Sequence, residues 1–172
     1  MPVHIIIDGY NLIRKFPPLS RIEEKDFSKG REMLLEWLSR YRQKIPNPIS
    51  VVFDGGKGGA LSEGRDIYKG IKIRYSPLGQ TADDIIKRLV DEGGEKFLLV
   101  TSDQELGSYC RFYKAGWIRS EEFAHRILEK INDEDKGVFK EEDQDTLPKK
   151  KKGTAYRLSK KAKKERKYWE YL

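Results

Sequence analysis

"HIIIDGYNLI", residues 4–13, decides how this chain is read. Ile5, Ile6 and Ile7 form an unbroken run of β-branched side chains. Such a run suits a strand covered on both faces, as in a parallel sheet held between helices. The run stops at Asp8, followed by Gly9, Tyr10 and Asn11. A carboxylate beside a core costs free energy unless something pairs with it. The same punctuation returns twice. "ISVVFDGG", from Ile49, stops at Asp54, and "KFLLVTSD", 96–103, stops at Asp103.

Helices are expected between these strands. Ser28 is read as the cap of a helix running to about Lys44, with Leu34, Leu38, Tyr41 and Ile45 at helical spacing. "PNP" at 46–48 ends it. After the glycine-rich loop "GGKGGALSEG", "IKIRYS" at 71–76 alternates and reads as a third strand. Thr81 opens a helix to about Glu92, and a short helix follows Asp103. "AGWIRS" holds a fifth strand, and Glu121–Ile131 form a last helix. Strands alternating with helices imply right-handed crossovers and a parallel α/β sheet.

Composition bounds the class. The chain has 172 residues, 37% apolar and 37% charged, with one cysteine, Cys110. A single thiol makes no internal disulfide, which fits a reducing compartment. No signal-peptide pattern opens the chain and no apolar run approaches the roughly 20 residues that span a bilayer. A cytoplasmic protein without a membrane segment is expected. The net charge is +7, unevenly spread. From Pro148 to Leu172 there are eleven Lys or Arg against two Glu, so the rest of the chain is slightly acidic. The expected organisation is a domain over residues 1–131, a charged linker over 132–153 and a basic amphipathic helix over 154–172. The basic stretch is a solvated segment or a polyanion contact. Its cations include Lys149, Lys150, Lys151, Lys152, Lys160, Lys161, Lys163 and Lys164. Alternatively Leu158, Trp169 and Leu172 pack it onto the body.

In parallel α/β sheets, ligands bind beyond the carboxyl ends of the strands. If the strands ending in Asp8, Asp54 and Asp103 are neighbours, their carboxylates converge on one crevice. Like charges there raise each other's pKa unless a cation intervenes. The economical cation is Mg²⁺ or Mn²⁺, which favour oxygen ligands. "TADDII", 81–86, offers a further carboxylate. Thr81 and Asp84 have the spacing of a capping box. With Ala82, Ile86 and Leu89 buried, about 100° per residue turns Asp84 to solvent near Arg88 and leaves Asp83 at the edge of the buried stripe. Asp83 is thus the functional candidate and Asp84 the structural one. Asp54 is also a good turn former, in "DGG". Asn11 either caps the next segment or orients Asp8 or a phosphate. Ser102 reads as a helix cap that also touches a metal-bound water. His4 and His125, without cysteine partners, make a poor zinc site. The glycine-rich loop is no P-loop, because Lys57 is followed by Gly58 rather than Ser or Thr. Lys57 and Arg65 either steer a phosphate backbone or are solvated surface charges.

"IIDGYNLI", "VVFDG", "TADD" and "VTSD", in that order, resemble the YacP-type NYN domains of the PIN-like nuclease superfamily. "GWIRSEEF", 116–123, is similar to the segment after that family's last strand. The resemblance covers about residues 3–131. It implies a three-layer α/β domain with a central parallel sheet in the order 3-2-1-4-5. It also implies a metal-dependent endoribonuclease acting on mRNA in the ribosome, with Asp8, Asp83 and Asp103 as catalytic metal-holding residues. PIN-like sites usually carry a fourth acid, here Asp54 or Asp84. A binding module on the same fold, docking RNA or ribosomes without cutting, is the alternative.

Overall fold

The structure, a computed structural model, describes residues 2–56 and 60–132. Lys57, the linker after Asn132 and the basic stretch with its lysines lie outside the described residues. Among the described residues, no helix is long and apolar enough to cross a membrane.

One mixed sheet organises the chain. Its strands are β1 (His4–Asp8), β2 (Ile49–Phe53), β3 (Gly64–Tyr68), β4 (Ile71–Tyr75), β5 (Phe97–Val100) and β6 (Gly116–Ile118), in the spatial order β3-β4-β2-β1-β5-β6. The helices are α1 (Gly9–Lys15), α2 (Pro17–Lys25), α3 (Phe27–Arg42), α4 (Ala82–Gly93), α5 (Gln104–Phe112) and α6 (Ser120–Asn132). β4, β2, β1, β5 and β6 run parallel in the expected order. The correction is β3, an antiparallel edge strand paired to β4 within a stretch left unassigned after the glycine-rich loop. Lys69 and Gly70 join the two strands, with φ of 45° and 81°. Positive φ at both central residues is the tight hairpin geometry whose twist matches the flanking strands. The signal was "YKGI", with only one of its two turn residues a glycine.

Side chains alternate between two cores. Ile5, Ile7, Val51, Phe53, Ile71, Ile73, Leu98 and Val100 face α1, α2, α3 and α6. Ile6, Val52 and Leu99 face α4 and α5. The three isoleucines are fully buried, as a central strand requires, and each contributes roughly 2 kcal/mol through burial.

Two helix starts differ from expectation. α3 is capped by Asp26, whose carboxylate accepts from the N–H groups of Ser28 and Lys29, so Ser28 lies inside the helix. α5 is capped by Asp103, not Ser102, through Leu106 N–H at 2.9 Å. The misassigned caps lie two residues after Asp26 and one before Asp103, and the charged oxygens of Asp are the stronger acceptors. α1 and α2 arise in a stretch without assigned structure. α1 follows β1 with no loop, and Gly9 makes this possible. A Cβ there would lie 2.3 Å from the Phe53 ring, too close for any other residue.

Candidate active site

The crevice lies where β1, β2 and β5 end. Asp8 is the last residue of β1 and shares the sheet face of Ile6 and Val52, under α4. Thr101 donates its hydroxyl to Asp8 at 3.0 Å, and the same hydroxyl oxygen accepts from Asp103 N–H at 3.2 Å. One threonine therefore ties the end of β1 to the turn that carries Asp103. Asp54, just past β2, accepts from Ala82 N–H at 2.7 Å and holds down the first turn of α4. That turn carries Asp83.

The helix assignment of the paired acids holds. Asp84 is exposed and completes a capping box with Thr81, accepting from Thr81 N–H at 2.8 Å while Asp84 N–H donates to the Thr81 hydroxyl. These hydrogen bonds hold its pKa below the usual carboxylate value. Arg88 is not its partner, because the guanidinium reaches Glu63 instead. Asp83 is half-buried and feels the charges of Asp103 and Asp54.

The electrostatics show which groups share the crevice. Asp8 has its pKa pushed up to about 6, first by burial and then by the charges of Asp83 and Asp54; the Thr101 hydrogen bond and Asn11 N–H pull the other way. Asp83 is also raised, by burial first, then by Asp103, with Asp54 and Glu105 adding and Lys87 opposing. Asp8, Asp54, Asp83 and Asp103 are thus one interacting group. The donor chemistry fits Mg²⁺ or Mn²⁺, since all four offer only oxygen and two are raised, by burial first and then by neighbouring acids. The arrangement is looser than a finished chelate. Among the described residues, no group of three His, Cys, Asp or Glu is placed to hold a metal ion. Three of the four carboxylates spend an oxygen on protein donors.

The supporting residues act differently from the expectation. Asn11 caps nothing. Its side-chain oxygen accepts from Ser102 N–H at 2.9 Å and from the Ser120 hydroxyl at 2.7 Å, so it clamps α1 to the ends of β5 and β6. Ser102 donates its hydroxyl to Glu121 and accepts from Ser120 N–H. Burial pushes the Glu121 carboxyl up, but Ser102, its own N–H, Lys15 and Arg119 together leave it below its usual value. Sequence reasoning missed Thr101, Ser120 and Glu121. Thr101 was legible in "VTSD", one residue from an assigned candidate; Glu121 acts only through a contact across two strands. Arg65 lies in β3 rather than the glycine-rich loop, and pairs with Glu63 at 3.3 Å. His4 packs as expected, bonded to Ser50 at 2.8 Å against the Phe97 ring, and His125 is exposed.

The comparisons with known proteins follow this geometry. The model of the YacP-like NYN domain matches residues 5–171. The chain belongs to that family. The match runs beyond residue 131, so the family's extent includes the basic stretch. A curated Bacillus subtilis relative, described as an uncharacterized protein YacP, is 26% identical over 85 residues, and the chain spans about half (49%) of that relative's length. Crystal structures of Rae1 (YacP) from Bacillus subtilis share the fold. A mutant form matches with a TM-score of 0.66 at 19% identity, covering 76% of this chain and 78% of that one. Another matches with a TM-score of 0.63 at 20% identity, covering 77% of each. The fold is therefore PIN-like, a nuclease-type α/β architecture.

Proposed function

We propose that this chain is a metal-dependent endoribonuclease that cleaves mRNA on the translating ribosome, in the cytoplasm. The observation that carries the reading is the interacting group of Asp8, Asp54, Asp83 and Asp103 at the carboxyl ends of β1, β2 and β5. It lies in a chain whose family has a nuclease-type fold. The ribosomal setting rests on the resemblance alone.

Asp8, Asp83 and Asp103 would hold Mg²⁺ or Mn²⁺, with Asp54 beside them. When bound, the ion supplies a water of lowered pKa and neutralises charge on the phosphate. The protein's part is placement. Thr101 keeps Asp8 and the Asp103 turn in register. Asp54 fixes the start of α4 and with it Asp83. Asn11 and Ser102 hold the wall formed by α1 and α6. Burial of Asp8 means that its own carboxyl is mostly ionised only above about pH 6.

The test is cleavage mapping on a translated mRNA, with the native chain and with Asp8→Asn, alongside naked RNA with and without Mn²⁺. Metal-dependent internal cuts that vanish in Asp8→Asn support the reading. The non-catalytic alternative is favoured by one observation, the absence among the described residues of three acids already placed to hold an ion. Binding to RNA or ribosomes without cuts at any Mn²⁺ level would establish it.

A further inference from the structure

The β3–β4 hairpin has two different faces. On one, Ile71 and Ile73 are buried against the side of the sheet covered by α3. On the other, among the described residues, α4 packs over β1 and β2 rather than over this hairpin. This open face shows Arg65 and Ile67 from β3, and Lys72 and Arg74 from β4. The register sets Arg65 directly opposite Arg74 and Ile67 opposite Lys72. Like charges directly opposite each other destabilise a strand pair unless an anion sits between them.

The anion present is too small for the task. Glu63 pairs with Arg65, with Arg74 at 2.9 Å, and with Arg88 reaching over from α4. One carboxylate is thus shared by three guanidinium groups, and Lys72 adds a fourth cation. The positive field reaches His4, whose pKa is lowered by burial first and then by Lys72 and Arg74. Asp66 lies next to the strip but accepts from Ile67 N–H at 2.7 Å. A cavity of about 320 Å³ opens here, lined by Arg65, Asp66, Ile67, Lys72, Ile73 and Arg74. Ile67, 69% exposed, is its apolar element.

The strip is aligned with the crevice. Asp8 pairs in register with Val52, Val52 with Arg74, and Arg74 with Arg65. All four side chains lie on the same sheet face. At about 4.8 Å per strand, Arg74 stands roughly 10 Å from Asp8 and Arg65 roughly 14 Å. Guanidinium forks match phosphate oxygens in two-point hydrogen bonds.

We infer that the open face of the β3–β4 hairpin, with Arg65, Lys72, Arg74 and Arg88, is a phosphodiester-binding surface that holds single-stranded RNA next to the carboxylate crevice. This rests on the proposed action on RNA. Arg65 and Lys72 are the contacts with the fewest structural duties, being exposed at the rim. Arg74 and Arg88 also balance Glu63, and Ile67 offers an apolar contact to sugar or base.

The experiment uses the full chain in EDTA, so that binding is read without cleavage. The affinity of a mixed-sequence single-stranded oligoribonucleotide is measured across a salt series for the native chain and for Arg65→Ala/Lys72→Ala. Loss of two phosphate contacts lowers the slope of log affinity against log salt by about 1.4, at about 0.7 per contact for single strands, and weakens binding whatever the sequence. The control is Lys25→Ala/Lys29→Ala, which removes the same charge from the opposite side of the sheet and should leave the slope in place. Melting temperatures of both variants confirm folding. An unchanged slope in the first variant, or an equal fall in both, overturns the inference. Polyglutamate is the second probe, and loss of polyglutamate binding with RNA binding intact would make this an acidic-protein surface and overturn it too. Cleavage assays with Mn²⁺ keep the two readings apart. A slope change in a chain that never cuts RNA sinks the nuclease alone, and cutting with an unchanged slope sinks this surface alone.

Discussion

The end of β1 and the open face of the β3–β4 hairpin belong to one side of one sheet and carry opposite imbalances of charge. In the crevice, Asp8 and Asp83 are raised by burial and by neighbouring acids. On the hairpin, three arginines share Glu63. Asp8 and Asp83 are drawn out of water by burial, so their repulsion is poorly screened, and the proposed relief is a compact cation. The hairpin is open, so its excess is partly solvated and suits a long, flexible polyanion. The two regions therefore differ in the kind of partner that relieves them.

The sharpest way to break this comparison is Asp8→Asn. Cleavage of RNA should fall by at least about 100-fold, equivalent to about 2.7 kcal/mol of barrier, while affinity for RNA in EDTA holds or rises. The fold should survive, because Asn keeps an oxygen for the Thr101 hydroxyl. Normal cleavage by this variant would remove Asp8 from the reaction.

Stability against pH comes next. The folded pKa of Asp8 is about 6 and the usual value is 3.8. The folded state thus binds the proton more tightly, and stability declines as pH rises from about 4 to 6. At about 1.4 kcal/mol per unit the decline is up to about 3 kcal/mol. Thermal melts across that range should show the decline in the native chain and lose most of it in Asp8→Asn. Mn²⁺ should raise the native melting temperature more at pH 7 than at pH 4.5, a sign of metal binding that needs no activity. A melting temperature insensitive to Mn²⁺ at pH 7 would separate the crevice from metal.

Removing the clamp at Asn11 is a smaller perturbation. Asn11→Leu strips Ser102 N–H and the Ser120 hydroxyl of their acceptor and should cost about 1–3 kcal/mol in denaturant melts. An effect below 0.5 kcal/mol on the order of experimental scatter would mean that water replaces the amide oxygen.

The smallest effect is expected at Asp84, with Asp83 beside it on α4 as the contrast. Asp84→Ala should cost about 1 kcal/mol of stability through the lost capping box, with the cleavage rate of the folded protein kept. Asp83→Asn should do the reverse, sparing stability and losing cleavage. If the two variants exchange these outcomes, the assignment of roles along the helix is wrong.

Much of this was legible in the sequence because it depends on neighbours in the chain. The apolar runs at Ile5–Ile7 and Val51–Phe53 specified covered strands, and five of the six strands took the expected order. Asp83 and Asp84 separated on helical geometry alone. The turn at Lys69–Gly70 was local too, but weakly signalled. Other features had no local sign. Asn11 meets Ser102 and Ser120 across 91 and 109 residues, and Glu121 reaches Ser102 between adjacent helix starts. Arg65, Arg74 and Arg88 meet at Glu63 only because a hairpin and a helix start at the same end of the sheet. Alone, the sequence determined the five parallel strands, the helices α3 to α6 and the carboxylates that follow the strands, but not β3, α1 or α2. The tertiary structure decided which charges become neighbours, because electrostatic energy depends on distance and burial in space, and strand order and register set both.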